Sequence, residues 1–72
     1  RSLVLTNRQC IFERKTDEER VLVAINADEN EYTAHFDAGC GTAIDLITGE
    51  PHDFGGGSKL LPYSAYFWKC EH

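Results

Sequence analysis

Three cysteines lie at even intervals along the chain, and thiols suit metal binding or redox chemistry. Cys10, Cys40 and Cys70 form no C-x-x-C pair, and no histidine lies near them at the spacing of zinc ligands. Three cysteines cannot all pair within one chain, so the count favours free thiols over a disulfide-stapled scaffold. We therefore predict no metal site, no cofactor, thiols packed as small hydrophobic side chains, and a cytoplasmic protein.

Twelve acidic residues are available for acid–base chemistry, which in glycoside hydrolysis requires a pair of carboxylates. Six of them fall in two turn segments, 17–19 and 28–31, where no apolar pocket would raise a carboxyl pKa. The glycine-rich segment 55–59 also lacks the order of a phosphate-binding loop, because Ser58 precedes Lys59 and a strand follows. We predict no catalytic residue in this sequence.

Aromatic side chains concentrate near the end of the chain, and their rings suit sugar stacking or contact with another domain. In an extended strand, Tyr66 and Trp68 point to one face, and Ala65 and Phe67 point to the other. Only one of these faces can be the core of a two-layer domain, so the other meets water, a ligand or a neighbouring domain. The candidate contact residues for carbohydrate or for a neighbouring domain are Tyr63, Tyr66 and Trp68.

Short β-forming segments separated by turn formers would position these side chains. Segments 9–15 and 21–25 flank an acidic turn and predict a hairpin, and the uniformly apolar segment 21–25 predicts a central strand. Segment 31–36 alternates polar and apolar residues, and we predict that it pairs with the preceding strand. Further strands are predicted at 42–47, around 52–54, and at 59–62 and 63–69, the last two being adjacent strands or one strand broken at Pro62.

About six short strands with a turn signal between each predict an all-β antiparallel sandwich or barrel. At 72 residues, with 42% hydrophobic and 26% charged residues, the chain has the size and composition of one globular domain, 1–72. Its longest apolar run is far shorter than the roughly 20 residues that cross a bilayer. The net charge of −5, with scattered basic residues, argues against nucleic-acid binding. We predict neither a membrane nor a nucleic-acid partner.

Four short motifs follow one another along the chain. They read F-E-R at 12–14, V-L-V-A-I-N at 21–26, D-L-I-T-G-E at 45–50 and L-L-P-Y-S-A at 60–65. In this order the chain resembles the C-terminal β-domain (domain C) of α-amylase-family glycoside hydrolases, over about residues 10–68. It departs from that family at Leu61, where a second proline is common, and its three cysteines match no feature of the family.

The resemblance implies a Greek-key β-sandwich of eight or fewer strands, attached after a catalytic (β/α)8 barrel. The catalytic carboxylates would lie in that barrel, outside this sequence. The implied role is to pack on the barrel of the same polypeptide and stabilise it, in an enzyme acting on α-glucans or related α-glucosides. The alternatives are a carbohydrate-binding module that binds an oligosaccharide through exposed Trp and Tyr rings, and an autonomous small enzyme.

Overall fold

The structure, a computed structural model, describes residues 2–71, and Arg1 and His72 lie outside the described residues. The described part contains eight strands and no helix, and so no helix that would be long and apolar enough to cross a bilayer. The strands are β1 (Ser2–Leu5), β2 (Gln9–Lys15), β3 (Arg20–Asn26), β4 (Tyr32–Ala34), β5 (Thr42–Asp45), β6 (Pro51–Asp53), β7 (Ser58–Leu60) and β8 (Ser64–Cys70).

Six of these strands form one large sheet and two form a small one. The order in the large sheet is β1-β2-β3-β8-β5-β6, and the small sheet consists of β4 and β7. Every pair is antiparallel, which confirms the predicted all-β antiparallel class. The edge strands of the large sheet are short: β1 has four residues and an irregular register, and β6 has three residues and begins with Pro51.

The predicted hairpin of β2 and β3 closes at the acidic turn. The Thr16 amide donates to the Glu19 carbonyl at 2.8 Å, and the Thr16 hydroxyl oxygen accepts from the Glu18 and Glu19 amides. These local bonds replace the ladder bonds that the turn residues lack. As predicted, β3 is a central strand, with β2 on one side and β8 on the other.

The D-L-I-T-G-E motif forms the turn between β5 and β6. The Asp45 carboxylate accepts hydrogen bonds from the Ile47 and Thr48 amides at 2.8 and 3.1 Å, and the Asp45 carbonyl accepts from the Gly49 amide at 2.7 Å. Gly49 has a φ of 79°, a left-handed conformation that glycine adopts without a steric cost. The motif therefore encodes a tight turn.

Two predictions about neighbouring strands are wrong, and one strand was not predicted. β4 pairs with β7 instead of with the preceding strand, and the segments on either side of Pro62 lie in different sheets. The chain crosses between the sheets at Tyr63, whose φ of 51° turns the backbone sharply. Strand β1 had no predicted counterpart; its segment is only four residues long.

Each side of the large sheet presents a different set of side chains, since opposite residues in an antiparallel pair point to the same face. We call the face that carries Leu22, Ala24 and Trp68 the core face. Its side chains form one buried cluster with Ala34 of β4 and Leu60 of β7. The small sheet therefore covers the core face. The opposite face, which carries Phe12, Val23 and Phe67, is called the outer face.

Candidate functional site

Trp68 lies in the middle of the core and has only 1% of its surface exposed. Its ring stacks on His52 at a centroid distance of 4.3 Å and on Tyr66 at 5.6 Å, and it meets the edge of Phe54 at 5.4 Å. Because the indole is buried among these rings, a sugar cannot stack on it. This corrects the expectation of an exposed Trp: the Tyr66 and Trp68 face is the core face.

The other two aromatic candidates have separate surroundings. Tyr66 is half-buried, and its hydroxyl oxygen accepts a hydrogen bond from the Leu61 amide at 2.9 Å. Tyr63 is 71% exposed, and its backbone amide donates to the Asp28 carbonyl at 3.2 Å. The structure thus brings Tyr66 and Trp68 together inside the domain and leaves Tyr63 as the accessible ring of the three.

The outer face carries an apolar row that runs across the three central strands. Phe12 of β2 lies opposite Val23 of β3, and Val23 lies opposite Phe67 of β8. Val23 is 7% exposed because the two flanking rings cover it, whereas Phe67 is 37% exposed. Ile25, opposite Ala65 in the next row, is 40% exposed. No strand of the described residues packs over this row, so it faces outward.

Charged side chains border the apolar row at one end. In the adjacent register position, Val21 lies between Arg14 of β2 and Lys69 of β8. The Lys69 ammonium is 3.6 Å from the Glu19 carboxylate, and both side chains are about half exposed. An apolar centre with a charged rim is the usual composition of a protein interface. The outer face therefore has the chemistry of a packing surface.

Groups that might support catalysis or metal binding are not gathered on this face. Within residues 2–71, no group of three or more His, Cys, Asp or Glu side chains is placed to hold a metal ion. The three cysteines are free thiols, with Cys10 on the outer face, Cys40 in the loop before β5 and Cys70 at the end of β8. Apolar packing is thus what the outer face offers.

His52 is the titratable side chain most closely packed against the aromatic core. Its Nε2 lies 2.8 Å from the hydroxyl oxygen of Ser58, which is fully buried, and its ring stacks on Trp68. Burial lowers the pKa of His52 below its ordinary value of 6.5, against the opposing effect of the Asp45 and Asp53 charges. The neutral imidazole is therefore the form that fits the native structure.

Stability is expected to decline with acidification through His52. Above pH 6.5 the histidine is neutral in both states; below it the unfolded chain takes up a proton that the native state does not, so the free energy of unfolding decreases. In His52→Gln this contribution is absent. Urea denaturation at pH 7, 6 and 5 should therefore show that its free energy of unfolding falls less on acidification than that of the original chain. The exposed His35, changed to Gln, serves as the control and should follow the original chain. Parallel curves for His52→Gln and the original chain would contradict this prediction.

The outer-face residues Phe12, Val23 and Ile25 were not among the predicted contact residues. A signal for them exists in the sequence, because a strand apolar on both faces requires cover on both sides. The apolar run at 21–25 predicts a central strand, and the same pattern also indicates a second packing surface. The row through Phe12 and Phe67 becomes visible only when the register of three strands is known.

Comparison with known proteins relates this fold to a family and to a solved structure. The family model described as "Alpha amylase, C-terminal all-beta domain" matches residues 5–70. The crystal structure of an AmyP variant in complex with maltotriose is similar over 99% of this chain, with a TM-score of 0.77 and 22% sequence identity. The match covers 16% of the AmyP chain, so this chain spans about a sixth of that protein. No curated protein matches the chain in sequence.

Proposed function

Because this chain belongs to the family of α-amylase C-terminal all-β domains, we propose that its outer face packs on the catalytic barrel of the same polypeptide and stabilises it. The family assigns the chain to the all-β domain of such enzymes and not to the catalytic barrel. The role proposed here is therefore structural. The enzyme that contains the domain is proposed to act on α-glucans or related α-glucosides.

The observation that carries this proposal is the apolar row on the outer face. Phe67 and Ile25 retain more than a third of their surface, and no element of the described chain covers them. Burying a large apolar side chain contributes about 1.5–3 kcal/mol when it is complete. Domain interfaces within one chain bury about 600–1,500 Å², and a tethered partner binds at a high effective concentration. Under those conditions, a modest apolar row is sufficient for the domain to pack on a neighbouring domain of the same chain.

We favour the catalytic barrel of the same polypeptide as the occupant of the outer face. The chain corresponds to a small part of AmyP, so a protein of that kind has a large remainder available to cover the outer face. Maltotriose is the ligand of that crystal structure, which supports an α-glucan as the substrate class proposed for the parent enzyme. Oligosaccharide binding by the domain itself has weaker support, because Trp68 is buried and, of the three candidate rings, only that of Tyr63 is exposed.

The proposal is tested by placing a charge on the outer face of the full-length parent enzyme. Phe67→Asp is expected to split one calorimetric unfolding transition into two, or to lower its midpoint by several degrees, because a carboxylate cannot be buried unpaired. Thr33→Asp is the matched control, since Thr33 is exposed on the small sheet and the added charge is the same. Circular dichroism of the 72-residue chain measures the effect of each substitution on the domain alone.

Two results would overturn the packing role. One is a Phe67→Asp enzyme whose unfolding is the same as that of Thr33→Asp. The other is a Phe67→Asp enzyme that loses no more stability than the 72-residue chain loses on its own through the same substitution.

A further inference from the structure

The loop before β5 brings Cys40 to the end of β8. The Asp37 carboxylate accepts a hydrogen bond from the Gly39 amide at 2.9 Å, and Gly39 has a φ of 75°. This turn directs the half-buried Cys40 onto the core cluster that contains Cys70. The two thiols lie within hydrogen-bonding reach of one another. Residues that are thirty positions apart in the sequence are thus neighbours in the fold.

Arg20 fixes both partners of this contact. Its Nη1 donates to the sulfur of Cys70 at 3.5 Å, while its Nε is paired with the Glu13 carboxylate. The backbone of the Cys40 loop lies directly against the same guanidinium, because a Cβ placed on Gly39 would be 3.3 Å from Nη2 of Arg20. One partly buried cation therefore lies against both the strand that carries Cys70 and the loop that carries Cys40.

We propose that Cys40 and Cys70 form a reversible intramolecular disulfide, with Cys10 left as a free thiol. Cys10 lies opposite Ile25 on the outer face, with the sheet between it and the other two sulfurs. Of the three cysteines, two would then form the disulfide and one would remain a thiol. The proposal goes beyond the expectation that all three cysteines pack as small hydrophobic side chains.

The oxidant that closes the bond is a low-molecular-weight disulfide such as oxidised glutathione. The thiolate of Cys40, the more exposed of the pair, attacks one sulfur of that disulfide and releases one small thiolate. The thiolate of Cys70, whose sulfur lies 3.5 Å from Nη1 of Arg20, then attacks the mixed disulfide at Cys40 and releases the second. One small disulfide is reduced to two thiols, one protein disulfide forms, and the two protons of the protein thiols pass to solvent or to the released thiolates.

The chemistry of Cys40 sets the rate of this exchange. Burial and the adjacent Cys70 thiol raise the pKa of Cys40 to about 11, even though Arg20 opposes the shift. Few Cys40 thiolates exist at neutral pH, so exchange is slow there and accelerates about tenfold for each pH unit below that pKa. At neutral pH the disulfide is therefore expected to form only under sustained oxidising conditions.

The pairing is tested on the 72-residue chain incubated with oxidised glutathione at pH 8.5. The expected result is a mass loss of about 2 Da, a peptide joining Cys40 to Cys70, and a melting temperature raised by roughly 10 °C, because the link closes a long loop. Cys10→Ala should behave in the same way. Cys40→Ala and Cys70→Ala should lose no mass, and should instead retain a free thiol or a glutathione adduct.

Three outcomes would overturn the proposal. The first is a disulfide that includes Cys10. The second is a glutathione adduct on both Cys40 and Cys70 in the unsubstituted chain. The third is a folded chain whose thiols do not react under conditions in which the urea-unfolded chain does react.

Discussion

Replacing Trp68 by alanine is expected to remove about 3–5 kcal/mol from the free energy of unfolding. The indole is 1% exposed and contacts the rings of His52, Tyr66 and Phe54, so its loss leaves a cavity bordered by flat rings that cannot collapse into it. A domain of this size has a total stability of about 4–11 kcal/mol. Much of the variant should therefore be unfolded in moderate urea.

The neighbouring residue supplies the control for Trp68. Phe67 belongs to the same strand, but its side chain points to the outer face and is 37% exposed. Phe67→Ala in the 72-residue chain should cost about 1 kcal/mol, since the ring is already partly in water. Urea denaturation followed by far-ultraviolet circular dichroism compares both variants without depending on tryptophan fluorescence. Equal losses for the two substitutions would contradict the assignment of the core face.

Asn26→Ala is expected to cost about 2–4 kcal/mol. The Asn26 amide nitrogen lies 3.0–3.2 Å from the carbonyl oxygens of Asn30, Leu60 and Leu61, and its side-chain oxygen accepts from the Gln9 side chain and the Asp28 amide. The side chain is 1% exposed, so water cannot replace these partners without opening the structure. This single amide ties the large sheet to the end of β7.

Two further substitutions separate hydrogen bonding from volume at this position. Asn26→Asp keeps the size but turns a carboxylate towards three carbonyl oxygens, so at pH 7 it should be more destabilising than Asn26→Ala. Asn30→Ala removes an exposed side-chain bond to Asp28 and should change the free energy of unfolding by less than about 0.5 kcal/mol. Urea midpoints at pH 7 rank the stability of the three variants. If Asn26→Asp were more stable than Asn26→Ala, the role given to the amide nitrogen would be refuted.

Strand positions were predictable from the sequence because they depend on neighbouring residues. Turn formers bound β2, β3 and β5, and the apolar run in β3 indicates a central strand without reference to any other segment. The pairing of β4 with β7 depends on contacts between distant segments. Asn26 is an example, since its partners at Leu60 and Leu61 lie 34 and 35 residues away.

The candidate surface was only half predictable for the same reason. Alternation correctly places Tyr66 and Trp68 on one face of β8 and Phe67 on the other. Which face is the core depends on where the small sheet packs, and that is decided by β4 and β7 together. The sequence thus predicts two faces of opposite character, and only the tertiary arrangement assigns the aromatic cluster to the interior.

The short edges of the large sheet affect how separate molecules of this chain behave towards one another. An edge strand with many free amides can recruit a second molecule and begin fibril growth. Here one edge has three residues and starts with a proline that has no amide hydrogen, and the other is irregular and four residues long. Neither edge can template a long intermolecular ladder, which protects the domain from self-propagating aggregation while its apolar row is uncovered.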